Sequence, residues 1–493
     1  MASLTPSLQD LLVSSLMILL VLLYIAYWRS KYQSLFPVDW PIVGLLPTLV
    51  ANLHRLHDKI TEYLAASGHS FTGNGPAASN MRLFVTCDPD NVRHIFTTNH
   101  DNYPKGHEFA EIFDIMAGAF FTMDGELYRR QRAKTHSILS DPRMVASMAS
   151  SCADKHPDTV RVAGSGTRLM FDVTAMPVFG VDPGRLSPDM PSMHVSAAMD
   201  TIMEVGLFRH TVPPSCWKAM RRLKIGPERK LAAAHAALHV FVSEMMEKAR
   251  KQEAAPSSMS MDVLSSYIND PDYVGLLHSI LITYMVAGRD TVGTTLPWFF
   301  YNLAMNPRVV SGIREELAHN IATSTCNGDG APVMFSPEDT KSLVYLHAAL
   351  FETLRLYPPG WIERKTVVAD DVMPSGHEVR AGDAVLISIY SMGRMESLWG
   401  EDCRVYRPER WLYDSRGGRK MRHVPSHKFL SFNSGPRMCP GKNIAVMQMK
   451  IIAAAVVWNF DLEVVEGQAV VPKLSCLLQM KNGVMVKVKK RAV

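Results

Sequence analysis

The stretch "FLSFNSGPRMCPGKN", residues 429–443, decides how this chain is read. Cys439 sits between Met438 and Pro440, and an apolar run, "IAVMQMKIIAAAVVWNF", follows as a helix. A lone cysteine in an arbitrary setting is a buried small hydrophobe, or at most a nucleophile. These surroundings argue otherwise. Gly435 and Gly441 let the backbone pass close to something flat, while Pro436 and Pro440 stiffen the loop. The thiolate stands just before a helix N-terminus, whose N–H groups and dipole favour an anion. A thiolate in a rigid loop is a good soft ligand for iron, and Arg437 is placed to reach a carboxylate. A cysteine protease would need an orienting histidine, to which nothing in the local pattern points.

The chain of 493 residues is 47% hydrophobic, enough for a large core, and no Gly/Ser or charged linker divides it. A net charge of +5 without basic-aromatic clusters argues against nucleic acid. The seven cysteines, at 87, 152, 216, 326, 403, 439 and 476, form no C-x-x-C pair. Zinc knuckles and disulfide scaffolds are disfavoured, and scattered thiols fit a reducing compartment. Residues 11–28, "LLVSSLMILLVLLYIAYW", are uncharged, apolar and long enough to span a bilayer. Tyr24, Tyr27 and Trp28 suit an interfacial belt, and Arg29 and Lys31 place the chain from residue 29 onward in the cytoplasm. A retained anchor over 1–30 is preferred to a cleaved signal. Pro37, Pro41 and Pro47 make 31–48 a stiff, extended hinge, leaving 49–493 as one large domain.

"MRLFVTCDPDN" (81–91) reads as a strand ending at Asp88-Pro89, and 150–168 as loop. Residues 273–307 form a long apolar helix, buried rather than spanning because His278, Arg289 and Asp290 make a span costly. "SLVYLHAALFETLRLYPP" (342–359) is an amphipathic helix, and 365–390 holds short strands. The C-terminal "LLQMKNGVMVKVKK" predicts a hairpin turning at Asn482-Gly483. The fold class is mainly α with small β-sheets.

The loop resembles the haem-binding segment of the cytochrome P-450 superfamily, F-x-x-G-x-R-x-C-x-G, complete here as Phe432, Gly435, Arg437, Cys439 and Gly441. The resemblance implies a cytochrome P-450 fold and haem b, with the Cys439 thiolate as axial ligand and O2 as co-substrate. It gives Arg437 to a haem propionate, and a structural network to Glu352 and Arg355 of "ETLR" with Arg410 of "YRPERW". "AGRDT" (287–291) resembles the oxygen-binding signature. Gly288 would leave room for O2, and Asp290 and Thr291 would relay protons. "YRRQR" resembles W-x-x-x-R, with Tyr128 for the Trp and Arg132 as the Arg, both toward propionates. Arg364 matches another propionate position, the alternative being an ordinary surface arginine. Arg129, Arg130 and Lys134 form a basic face for an acidic redox partner, or a plain solvated face.

The resemblance runs the whole chain and is strongest to plant microsomal enzymes that hydroxylate fatty acids and alkanes. It implies an endoplasmic-reticulum membrane enzyme, single-pass with its catalytic domain cytosolic, fed from NADPH by a separate reductase; no G-x-G-x-x-G fingerprint follows a strand. Between about Ser150 and Met170 the chain is shorter than that branch, as a compact variant or an incomplete gene would be. Phe109, Phe113, Met116, Phe120 and Phe121 are expected to line the pocket, faced by Tyr284, Trp361 and Ile362. Such a wall suits a long-chain fatty acid, alkane or similar lipid. It also suits a phenolic alkaloid precursor, which members of the branch couple. A haem-thiolate isomerase or dehydratase, an inactive haem-binding homologue and an unrelated thiol enzyme are the rivals.

Overall fold

The computed structural model describes residues 15–21, 24, 37, 39–40, 42–79, 81–161, 166–186, 192–253, 261–321, 332–416 and 418–491. Helices dominate, around a small four-stranded sheet. Ser70–Asn74 pairs antiparallel with Arg82–Thr86, which runs parallel to Ala384–Ser388; Ile362–Thr366 closes the far edge antiparallel. Phe84, Val85, Val385 and Ile387 are buried in one cluster with Ile95 and Phe96. The expected strand stops where Asp88 caps the helix Pro89–Arg93, accepting from the N–H of Asp90 at 2.8 Å and of Asn91 at 3.1 Å.

The central helix is continuous from Leu277 to Met305, with a π-turn over Val286–Asp290. It is sheathed by apolar side chains because two hydrophobic clusters meet along it. One holds Ile280, Leu281 and Met285 with Phe109, Phe113 and Met199. The other holds Val292, Leu296 and Phe299 with Leu346, Leu350 and Ile452. The ETLR helix, Val344–Leu356, ends at Tyr357, whose ring stacks on Trp298 at 4.1 Å. The helix after the cysteine loop, Lys442–Asn459, buries Ile451–Ala455 in the second cluster.

Three sequence expectations are corrected. Residues 150–161 continue the helix Pro142–Arg161, and Gly166–Phe179 is helical again, so 150–168 is not loop where it is described. Polar composition hid a helix that packs on its neighbour. Where it is described from residue 40 on, the 31–48 segment is not extended: Trp40 and Gly44 exchange backbone hydrogen bonds of 3.0 and 2.9 Å, and a helix starts at Leu46. Pro47 in its first turn sacrifices no needed N–H. Gly483 does turn, at φ 68°, but Val486–Lys490 pairs with Phe460–Val464 rather than with residues 477–481. The anchor expected over 1–30 lies largely outside the described residues. Among the described residues no helix is long and apolar enough to cross a membrane.

Candidate active site

Gly435 adopts φ +57°, and a Cβ there would run into the Phe96 carbonyl oxygen. Its missing side chain thus serves the close passage of residue 96. Gly441 has no such need: a Cβ would lie 4.0 Å from the Cys439 sulfur, ordinary contact. The loop is pinned by the Cys439 N–H on the Phe432 carbonyl at 2.8 Å and by the Tyr128 hydroxyl on the Pro436 carbonyl at 2.8 Å. Phe432 packs into the second cluster. Cys439 is half-buried at the head of the following helix. Burial pushes its thiol up, opposed by the N–H groups of Gly441 and Lys442 and the charges of Arg132 and Lys442.

A cationic cluster adjoins the loop. Arg437 is buried, donates to the Met123 carbonyl at 2.7 Å, pairs with Asp124 and stacks 3.6 Å over the Tyr128 ring. Arg364 pairs with Glu108 and is only 7% exposed, so it is no surface arginine. Sequence reasoning missed two further cations, Lys105 and Lys365, which flank Glu363 at 3.2 and 3.3 Å. Burial lowers both ammonium groups, Lys365 to about 8; burial would raise Glu363, yet the two lysines hold it at about 2. Arg437 Nε and Arg364 Nε are buried without hydrogen-bond acceptors among the described residues. Buried N–H groups in this state are uncommon and call for a partner.

On the central helix, the Thr291 hydroxyl donates to the Ala287 carbonyl at 2.8 Å. Ala287 is exposed between the half-buried Val286 and Gly288, while Met285, Arg289 and Asp290 are buried. Asp290 points elsewhere. With Asp200, Arg289, Thr294, Lys473 and Gln479 it lines a cavity of about 310 Å³. Arg289 bonds Asp200 at 2.8 Å and also Asp290 and Ser196, while Asp290 Oδ2 is buried and unpartnered among the described residues. Burial lifts the Asp290 carboxyl to about 6, against the pull of Arg289. Gly288 does not clear the Ala287 side; a Cβ on it would meet Thr174 at 2.6 Å. Its role is to let the helix Gly166–Phe179 approach.

Glu352 and Arg355 are fully buried and bonded at 2.7 and 2.8 Å, with Arg410 on the same carboxylate at 2.9 Å, the network that the motifs imply. Arg129 and Arg130 stay exposed beside Glu126, but Lys134 turns away onto Asp270. Of the expected wall, Phe109, Phe113, Met116 and Tyr284 belong to one cluster, with Phe120 and Phe121 against it. Trp361 and Ile362 belong to a different cluster. The Trp361 indole N–H donates to the Ser475 carbonyl at 2.7 Å, and its ring lies on His57.

A sequence model of the cytochrome P450 family matches residues 35–488. The chain belongs to the cytochrome P450 family. It is 35% identical to alkane hydroxylase MAH1 of Arabidopsis thaliana, over 96% of this chain and 97% of that one. It is 36% identical to cytochrome P450 86B1 of the same plant, over 94% and 87%, and 35% identical to noroxomaritidine synthase 2 of Narcissus aff. pseudonarcissus MK-2014, over 94% and 93%. This cytochrome P450 is therefore a monooxygenase, using haem under cysteine-thiolate ligation with O2 as co-substrate. Its residues fit that group. The thiol is flanked by cations and helix N–H groups, and two orphaned buried donors on Arg437 and Arg364 suit carboxylates.

Proposed function

We propose that this P450 oxidises a long apolar substrate, a fatty acid, alkane or similar lipid. The observation that carries the reading is the continuity of the apolar wall. Phe109, Phe113, Met116 and Tyr284 share one cluster with Ile444 and Met447, which stand in the first two turns after Cys439. The lining thus reaches the helix that follows the thiol-bearing loop.

Cys439 would ligate the haem iron, and Arg437, Arg132 and Arg364 would hold the propionates. Tyr128 would act through the loop, since its hydroxyl is spent on Pro436. Bound there, the haem supplies the redox chemistry on O2. The chain's own residues place the substrate, exclude water and handle the proton. Asp290, with its carboxyl near 6 beside a cavity, is suited to take a proton from that side, and Thr291 to present a hydroxyl on the Ala287 side. Residues 1–30 would anchor the chain in the endoplasmic-reticulum membrane, 31–48 would form the hinge and 49–493 the cytosolic catalytic domain, reduced by an NADPH-dependent reductase. The exposed apolar helical residues Leu16 to Val21 support the anchor.

A second reading, phenol coupling of an alkaloid precursor, is favoured by the likeness to noroxomaritidine synthases. Microsomes carrying this protein and a plant reductase, offered alkanes, fatty acids and phenolic amines, separate the two by mass spectrometry. A gain of one oxygen on an aliphatic chain supports hydroxylation. Loss of two hydrogens from a phenolic amine, with aliphatic chains untouched, overturns it.

A further inference from the structure

His210 lies near the end of the helix His194–Thr211, inside the apolar wall. Its ring packs 6.1 Å from Phe109 and 5.7 Å from Phe113, and Phe109 and Phe113 touch Phe121 at 5.3 and 5.4 Å. Nδ1 lies 2.7 Å from the Gly206 carbonyl oxygen. A carbonyl only accepts, so Nδ1 carries the proton and Nε2 is left a bare acceptor. Nε2 has no hydrogen bond among the described residues, yet it is not a sealed atom. It therefore opens onto space that a ligand atom can reach. The residue keeps some accessible surface, while burial, reinforced by the charge of Arg364, pushes the imidazole down to about 3. The ring stays neutral and cannot become a donor at Nε2 in ordinary conditions. Two cations stand beside it, Lys105 paired with Glu363 and Arg364 with Glu108.

We propose that His210 is a specificity-determining residue whose Nε2 accepts a hydrogen bond from a hydroxyl or N–H on an otherwise apolar substrate. The proposal rests on the apolar-substrate reading and narrows it to molecules carrying one such donor, an alcohol or phenol rather than a bare alkane. A carboxylate, having no proton to give, gains nothing from this atom.

The test is an optical binding titration of the haem-loaded, full-length protein with an n-alkane, the primary alcohol of matched length and the fatty-acid anion. The alcohol-to-alkane affinity ratio in the wild type exceeds that in His210→Phe by about fivefold, the effect of one neutral hydrogen bond. His210→Leu, which removes the acceptor without adding a ring, gives the same ratio as His210→Phe and keeps the proposal testable if the larger ring disturbs folding. Alkane and carboxylate affinities stay unchanged in both. An unaltered alcohol-to-alkane ratio overturns the proposal, as does an equal loss for all three ligands, which marks a structural role. If none of the three binds the wild type, the apolar-substrate reading fails, and this one with it.

Discussion

Glu352→Gln probes the network that holds the cysteine loop's surroundings together. The Glu352 carboxylate is wholly buried and accepts five hydrogen bonds. Two come from Arg355 at 2.7 and 2.8 Å; Arg410, the Trp411 indole and the Arg407 N–H give one each at 2.9 Å. Arg355 spends another N–H on the Cys403 carbonyl at 2.6 Å. Glutamine keeps the shape but leaves Arg355 as a buried guanidinium without a counter-charge, and its own NH2 confronts the donors. Breaking one side of a buried pair costs about 3–5 kcal/mol. Urea unfolding followed by tryptophan fluorescence reads this as a lower midpoint at unchanged slope. The matched control is Glu338→Gln. Its pair with Lys341 at 2.6 Å is 74% and 71% exposed, and its loss changes stability by no more than about 0.5 kcal/mol. A Glu352→Gln midpoint indistinguishable from that of Glu338→Gln would refute the claim that the network is a structural lock.

Asp290→Asn removes a carboxyl whose folded pKa, about 6, lies above its ordinary ~3.9. The folded state therefore binds more protons between those values, and wild-type stability relative to the variant falls by about 3 kcal/mol as pH rises from about 4 to 6, then levels off. Parallel denaturation series check it, and turnover of the variant falls by about 10²-fold if the group handles the catalytic proton. Asp371 runs the other way. Burial would raise it, but bonds from His94, Tyr103 and Asn99 at 2.7–2.8 Å hold it well below the usual carboxylate range. The advantage of wild type over Asp371→Asn, about 1–2 kcal/mol, is constant above about pH 5 and shrinks as pH falls below about 4. Tyr128→Phe loses the bond to Pro436 and lowers the unfolding midpoint by about 1 kcal/mol of stability, with haem content retained.

Much of the architecture was legible in short-range patterns. "ETLR" puts Glu352 and Arg355 three apart on one helix, so their meeting needed no knowledge of the fold. The apolar flanks of "AGRDT" gave a buried helix. What failed was long-range. The Asn482-Gly483 turn is local and real, but which strand Val486–Lys490 joins depends on where the chain before it lies. Gly288 was assigned to the wrong face because sequence does not say that Thr174 passes beside it. The family resemblance puts Trp361 in the pocket wall, yet tertiary packing gives its N–H to Ser475. Lys105 and Lys365 escaped notice because lysine is rarely buried; only the meeting of "YPKG" with "WIERKT" around Glu363 makes their burial tolerable. His210 was hidden likewise, its partners lying near residue 110.

The central claim is that Cys439 is the haem's thiolate ligand. The direct measurement is the carbon monoxide difference spectrum of the reduced full-length protein and of Cys439→Ala, with haem quantified in both. The account predicts the red-shifted, thiolate-type band in the wild type and loss of the band, together with most of the haem, in the variant. A Cys439→Ala protein that keeps its haem and the same band would contradict it.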